Sequence, residues 1–305
     1  MKQTYIYRLG QDFKRNKVLY LLFLPVFAYI VLFSYKPMYG IIMAFTDYRP
    51  VKGYWGSDWV GLKNFFDYFE SPYFVRTVRN TILLNLGFLF FSFPVPICLA
   101  LMLNEVKNRA FKKTVQTVTY LPHFISLVIV CGMISSFSLS TGLFNDIIEF
   151  FGGERDSLLA NPDAYRPIYI ASGIWREMGW NSIIYLAALS GVDSQLYEAA
   201  KIDGAGKWKQ TIHVTLPGIL PTVVIKLILQ IGSLMSLGYE KALLLYNEAT
   251  YSTSDIISTY VYRMGLEQSD FSYATAIDVM NAVINVLLVV MANKISKKVT
   301  DSSLW

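Results

Sequence analysis

Between two apolar runs the chain reads Ser190-Gly-Val-Asp-Ser-Gln-Leu-Tyr-Glu-Ala-Ala-Lys-Ile-Asp-Gly-Ala-Gly-Lys-Trp-Lys-Gln-Thr-Ile-His-Val-Thr-Leu-Pro217. Local chemistry predicts a pair of short helices here. Asp193 or Ser194 can cap the first, while Leu196, Ala199 and Ala200 give it a small apolar face. Gly204 permits the left-handed turn that ends it. A second amphipathic piece carries Trp208 and Ile212 four residues apart, and Pro217 suits the first turn of a following helix, where its missing N–H costs nothing. Small alanines let another protein's surface approach the helix backbone closely. The same stretch also reads as an ordinary interfacial loop, and composition alone does not separate the two.

Outward from this loop the chain is apolar. Of its 305 residues 54% are hydrophobic, 15% aromatic and only 16% charged, with a mean hydropathy of +0.39. A soluble chain carries about a quarter charged residues, so the composition places this one in a bilayer and excludes disorder or a collagen-like fibre. A spanning helix needs about 20 mostly apolar residues, and six runs satisfy that: 18–35, 81–103, 115–137, 167–190, 217–237 and 273–293. The first follows a basic stretch but lacks a small-residue cleavage site, and its apolar pattern resumes after Pro37 and Gly40 as far as Phe45. It reads as an uncleaved first helix. Pro25, Pro94, Pro96 and Pro122 fall inside these runs and predict kinks.

An even number of spans puts both termini on one side. The N-terminal segment 1–17, the connections 104–114 and 191–216 and the tail 294–305 sum to +9, whereas 46–76, 139–166 and 238–272 sum to −6. Lys and Arg concentrate on the cytoplasmic side, so both termini are expected to be cytoplasmic, the membrane domain covering 18–293. The basic patch at 104–114 reads as an orientation and lipid-headgroup signal, or alternatively as a docking surface. The outer segment 46–76 is rich in Tyr and Trp, including Tyr48, Tyr54, Trp55, Trp59 and Tyr68. It reads as an interfacial belt or as a docking face for an external protein. Cys98 and Cys131 lie in apolar runs and read as small core residues rather than a disulfide or metal site.

Catalytic signatures are missing. Gly206-Lys207 is followed by Trp208 without the upstream glycine of a phosphate loop, so the chain does not hydrolyse nucleotide by that route, and energy for any active transport would have to come from elsewhere. His123 and His213 are the only histidines and are far apart in sequence, which argues against a metal centre or a Ser/His/Asp triad, and no GxSxG elbow is present. A balance of +5 is weak evidence for nucleic acid, and none is expected as a partner.

Glu198-Ala199-Ala200, three residues, Gly204, nine residues and Val214-Thr215-Leu216-Pro217 resemble the EAA signature of permease subunits of ATP-binding-cassette importers, with Val214 where the family usually has Ile. The extension Lys201 to Gly206, the lead-in Trp175, Gly179 and Leu186 to Leu189, and the runs Pro37 to Phe45 and Gly238-Tyr-Glu-Lys241 are similar to maltose-type carbohydrate permeases. Within these they look like the first of two dissimilar permeases that import complex oligosaccharides or polysaccharide fragments. The resemblance implies an all-α polytopic membrane protein with six transmembrane helices, in the type I importer permease fold. It also implies a second, dissimilar permease, two ATPase subunits carrying ATP and Mg, and an extracytoplasmic sugar-binding protein. No cofactor is expected on this chain, and membrane lipid surrounds it. The helix from Gln195 to Ile202 would insert into a cleft on the ATPase. Glu198 would anchor it, Ala199 and Ala200 would allow close approach, and Asp203, Gly204, Gly206, Leu216 and Pro217 would complete the coupling element.

Polar residues inside spans are costly and face a cavity or a partner. Arg176 and Glu177 sit beside Trp175, Trp180 and Asn181; Lys226, Gln230 and Ser233 share one face, as do Asp278, Asn281 and Asn285. Each stripe either lines a sugar route or holds the bundle together by interhelical hydrogen bonds. The mixture suits sugars, whose hydroxyls need carboxylate and amide partners and whose C–H faces stack on Trp and Tyr. The expected pathway residues are Trp180, Asn181, Gln230, Ser233, Asp278, Asn281 and Asn285, with the last helix opposite Trp180 and Asn181. The rivals are a permease for a non-sugar solute and a polytopic enzyme of glycan metabolism.

Overall fold

The computed structural model describes residues 12, 13, 15–235 and 238–300. Most of the expected N-terminal segment 1–17, and the last five residues of the tail, lie outside the described residues. The fold is helical. Helix α1 (Lys17–Phe45) is followed by a two-residue hairpin of β1 (Thr46–Asp47) and β2 (Asp58–Trp59), then α2 (Lys63–Glu70) and α3 (Phe74–Glu105). Next come α4 (Arg109–Phe124), α5 (Leu127–Phe137), α6 (Leu143–Phe150) and α7 (Pro162–Ser190). After α8 (Ser194–Ile202) the chain forms α9 (Lys207–Gly232), α10 (Tyr239–Leu245), α11 (Ile257–Tyr262) and α12 (Phe271–Thr300).

Helices α1, α3, α9 and α12 are each long and apolar enough to cross a membrane, and α4 with α5 makes a fifth, broken span. The expected span at 167–190 is helix α7, whose 29 residues have the length. It differs from the others in composition, because Arg166, Arg176 and Glu177 interrupt its apolar character. The third expected span is more than kinked. Ile125 and Ser126 are extended, and α4 and α5 meet at 97°, although Pro122 itself lies inside α4.

Proline explains two irregular turns. An interior proline clashes with the carbonyl four residues back. Wide i→i+5 turns at Val31–Tyr35 and Thr211–Thr215 come just before Pro37 and Pro217 and open the helix there. Pro217 therefore lies within the continuous helix α9 and not at its first turn.

Three buried clusters hold the bundle. One joins α3, α5, α7 and α10 through Leu84, Cys131, Tyr165, Tyr169 and Ala242. A second packs Tyr68, Met235, Ile257, Tyr260 and Ile277. The third, Ala100, Tyr185, Leu189 and Ile219, lies beneath α8. Cys131 belongs to the core as expected, but Cys98 is exposed. On a lipid-facing surface a thiol is as well accommodated as in a core, so an apolar run does not distinguish the two.

A buried ion cluster ties the connection between α9 and α12 to the rest. Asp255 is fully buried and accepts hydrogen bonds from Arg76 at 2.7 Å, Arg263 at 2.8 Å and Thr259 at 3.0 Å. Asn80 donates to the Asp255 carbonyl at 3.1 Å and accepts from Arg166 at 2.9 Å. The carboxylate thereby fixes α3 to α11, and Asn80, between the Asp255 carbonyl and Arg166, adds α7.

Candidate functional site

Helix α8 forms because its ends are satisfied locally. The Asp193 carboxylate accepts from the Gln195 N–H at 2.9 Å, capping the first turn. At the other end Gly204 adopts φ = 76°, and the Ala205 N–H returns to the Ala200 carbonyl at 2.8 Å. Nothing in α8 is buried, and Glu198 and Ala199 are exposed. Leu196, Ile202 and Trp208 expose 52%, 87% and 76% of their surface, an apolar display at odds with a free aqueous loop.

The base of the loop is braced. Tyr197 donates its hydroxyl to Thr215 Oγ1 at 3.0 Å, and Thr215 Oγ1 donates to the Gln210 carbonyl at 3.3 Å. Gln210 donates its amide to the Ala205 carbonyl at 2.7 Å. Lys207 pairs with Glu105 at 2.7 Å, joining the loop to the end of α3. Val192 fills a notch at Gly218, where a Cβ would lie 2.9 Å from a Val192 methyl. Leu216 packs in the cluster below. Tyr197 and Thr215 thus join α8 to α9.

A cavity of about 660 Å³ opens between α3, α7, α9 and α10. Of the expected pathway residues, Asn181, Gln230 and Ser233 line it, together with Arg176, Glu177, Lys226 and Lys241. The whole Lys226, Gln230, Ser233 face of α9 is on its wall. Trp180 is elsewhere, stacked on His123 with ring centroids 4.5 Å apart and planes 3° from parallel. His123 Nδ1 lies 3.0 Å from Glu177, which also accepts from Arg176 at 2.5 Å, and Arg176 approaches the His123 carbonyl at the helix break. Helix α7 reaches α4 so closely because of Gly179, where a Cβ would fall 2.1 Å from the Thr119 carbonyl oxygen.

The last-helix stripe does not line this cavity. Asn281 is buried and donates to the Met235 carbonyl at 3.1 Å, and Asn285 accepts from the Met235 N–H at 3.0 Å. Where α9 unwinds after Gly232, Met235 needs backbone partners that hydrocarbon does not supply. These asparagines provide them, the interhelical alternative of the two readings. Asp278 is exposed on the surface of α12, away from the cavity wall.

Lys241, in the connection after α9, was not singled out by sequence chemistry. It is 9% exposed, donates to the Tyr169 carbonyl at 2.5 Å and lies 4.4 Å from the centre of the Tyr169 ring. Gly173 leaves space for its Nζ, and Gly238, at φ = 85°, leaves space for the Tyr169 hydroxyl. Burial pushes its amine down to about 7.

A helical bundle with an outward, capped helix on its Lys/Arg-rich side and a polar cavity within defines a membrane permease of the type I importer fold. The chain belongs to the family of binding-protein-dependent transport system inner membrane components, which it matches over residues 71–301. It is 49% identical to the polygalacturonan/rhamnogalacturonan transport system permease protein YteP of Bacillus subtilis, covering 95% of this chain and 91% of that one. Protein LplB of the same organism is 44% identical over 96% and 92%. A chain of the crystal structure of a bacterial alginate ABC transporter, in complex with an alginate pentasaccharide-bound periplasmic protein, superposes with a TM-score of 0.89. It is 42% identical and covers 97% of this chain and 100% of that chain. The chain is a transporter subunit and not an enzyme.

Proposed function

We propose that this chain forms one half of the transmembrane route by which an ATP-driven importer takes up oligosaccharides or polysaccharide fragments, and that α8 couples that route to a cytoplasmic ATPase. The observation that carries the reading is α8 itself: capped at both ends, exposed along its length and tied through Tyr197 to the start of a span. Glu198 is the polar anchor of the contact, Ala199 and Ala200 allow the approach, and Asp203, Gly204 and Gly206 shape the turn behind it. Relatives named for polygalacturonan, rhamnogalacturonan and arabinooligosaccharides support a cargo of several sugar units. The mixed polar and aromatic cavity wall is compatible with that class.

The remaining machinery is what membership of the binding-protein-dependent family implies. A second, dissimilar permease completes the route, two ATPase subunits bind ATP and Mg, and an extracytoplasmic binding protein delivers the sugar. Both termini and α8 lie on the cytoplasmic side in this reading, which the charge distribution supports. Affinity purification of the tagged full chain should recover a second permease and an ATPase. Proteoliposomes holding this chain alone should not accumulate sugar against a gradient; if they do, the reading is wrong.

A further inference from the structure

The connection between α5 and α7 carries an apolar face that the described residues leave open. In α6 and just beyond it, Phe144, Ile147 and Phe151 follow at i, i+3 and i+7 and share one side, flanked by Leu143 and Phe150. Phe150 and Phe151 expose 84% and 81% of their surface, and Leu143 and Ile147 49% each. Asn145 and Glu149 lie on the opposite side of the helix.

The direction of this face is fixed from within the connection. Arg155 donates to Asp146 at 2.7 Å, to Glu149 at 2.6 Å and to the Ser140 carbonyl at 3.1 Å. Asn145 is fully buried and donates to the Leu139 carbonyl at 2.7 Å and the Asp156 carbonyl at 2.8 Å. The first turn of α6 then packs back on the last turn of α5, with the rings of Phe144 and Phe137 5.7 Å apart. Because Phe144 belongs to the apolar side, that side is turned toward the end of the span and the polar side away from it.

Helix α5 is half of the broken span and exposes Val128, Ile129 and Met133 along its own length. It ends at Phe137, and Ser138, Ser140 and Thr141 follow, so the hydrocarbon ends there too. A stripe one turn further on, directed back along the span, meets acyl chains. Water on that side would leave a run of large apolar groups wet, and a protein arriving from solution would meet the polar side first.

We propose that α6 is an in-plane membrane anchor, its Phe144, Ile147 and Phe151 side inserted at the acyl-chain boundary of the leaflet where α5 ends. In the orientation given above this is the outer leaflet. The partner is hydrocarbon and not headgroup charge: Asp146, Glu149, Glu154 and Asp156 stand against Arg155 alone, a balance that anionic lipid does not attract. The anchor holds one end of α5 at a fixed depth, and the other end leaves the break at Ile125 and Ser126. The inference goes beyond the transport reading and requires only that α5 lie in a bilayer.

The test uses the assembled importer in proteoliposomes, with Cys98 and Cys131 replaced and a nitroxide attached at Ile147→Cys, Phe150→Cys, Phe151→Cys or, on the polar side, Glu149→Cys. All four positions are exposed, so labelling should leave the fold intact. Collisions with oxygen, which concentrates in hydrocarbon, and with a water-soluble nickel chelate together read depth. The first three labels should lie about 5–10 Å inside the headgroup boundary. The Glu149 label, a helix diameter of about 10 Å away, should stay in water. Depths should be the same in zwitterionic bilayers and in bilayers containing anionic lipid. Nickel collision at 147, 150 and 151 equal to that at 149 overturns the inference, and so does shielding from both collision partners, the sign of a covering subunit. Nickel access that disappears on adding sugar-loaded binding protein marks a docking face and overturns it as well. Insertion seen only with anionic lipid overturns the choice of hydrocarbon as partner.

Discussion

Replacing Asp255 with alanine removes the one carboxylate shared by Arg76 and Arg263 and leaves two guanidinium groups facing each other. Removing one partner of a buried ion pair costs about 3–5 kcal/mol. Arg76 and Arg263 keep 31% and 14% of their side-chain surface exposed, so solvent relieves part of the penalty. The lower end, about 3 kcal/mol, is the better figure. At roughly 2 °C per kcal/mol for a chain of this size, the melting temperature of the purified permease should fall by about 6 °C. Asp255→Asn should fall between parent and alanine, since it keeps an acceptor for Thr259 but not the charge. Asp58→Asn, at an exposed pair with Lys52, should leave the melting temperature unchanged, because solvent screens that pair. A double variant Asp255→Ala/Arg263→Met should lose less than the sum of its parts, because the second change removes a charge that the first stranded. An Asp255→Ala protein melting within 1–2 °C of the parent, on the same scale, would refute the view that this carboxylate clamps α3 to α11.

Gly179→Ala places a methyl against the Thr119 carbonyl and should destabilise the α4–α7 contact by about 1–3 kcal/mol, read as a lowered melting temperature. Tyr197→Phe deletes the donor to Thr215 and should lower ATPase stimulation by the loaded binding protein, with a stability change near 1 kcal/mol. Asn285→Ala strands the Met235 N–H and should cost about 0.6 kcal/mol, the typical value for an interhelical hydrogen bond in a membrane. A cysteine at 281, with Cys98 and Cys131 replaced, should stay unreactive to a hydrophilic thiol reagent in every transport state; ready labelling would return that position to the sugar route.

Features set by nearest neighbours were legible in the sequence. The Asp193 cap and the Gly204 turn act within a few residues, so α8 is legible in the sequence alone. Apolar runs revealed the spans because a bilayer leaves backbone groups no partner except the helix itself. Features set across the fold were not legible. Nothing local tells that Asn281 and Asn285 serve a backbone position 46 and 50 residues away, or that Asp255 meets Arg76 across 179 residues. Helix α7 was recognisable as a span with charges in it, but the pairing of Glu177 with His123 depends on the break at Ile125 and Ser126. Lys241 belongs to the run Gly238-Tyr-Glu-Lys241, similar to carbohydrate permeases. Its chemistry emerges only where Gly173 and Tyr169 enclose it.

The central claim is that α8 carries the signal between ATPase and membrane, and Glu198→Lys tests it most directly. The residue is exposed and makes no ion pair or hydrogen bond among the described residues, so folding should be unaffected. ATP hydrolysis by the reconstituted importer is measured with and without sugar-loaded binding protein, for parent and variant. The account predicts that the variant assembles, melts with the parent and loses the stimulation. Stimulation at the parent level in the variant would contradict it.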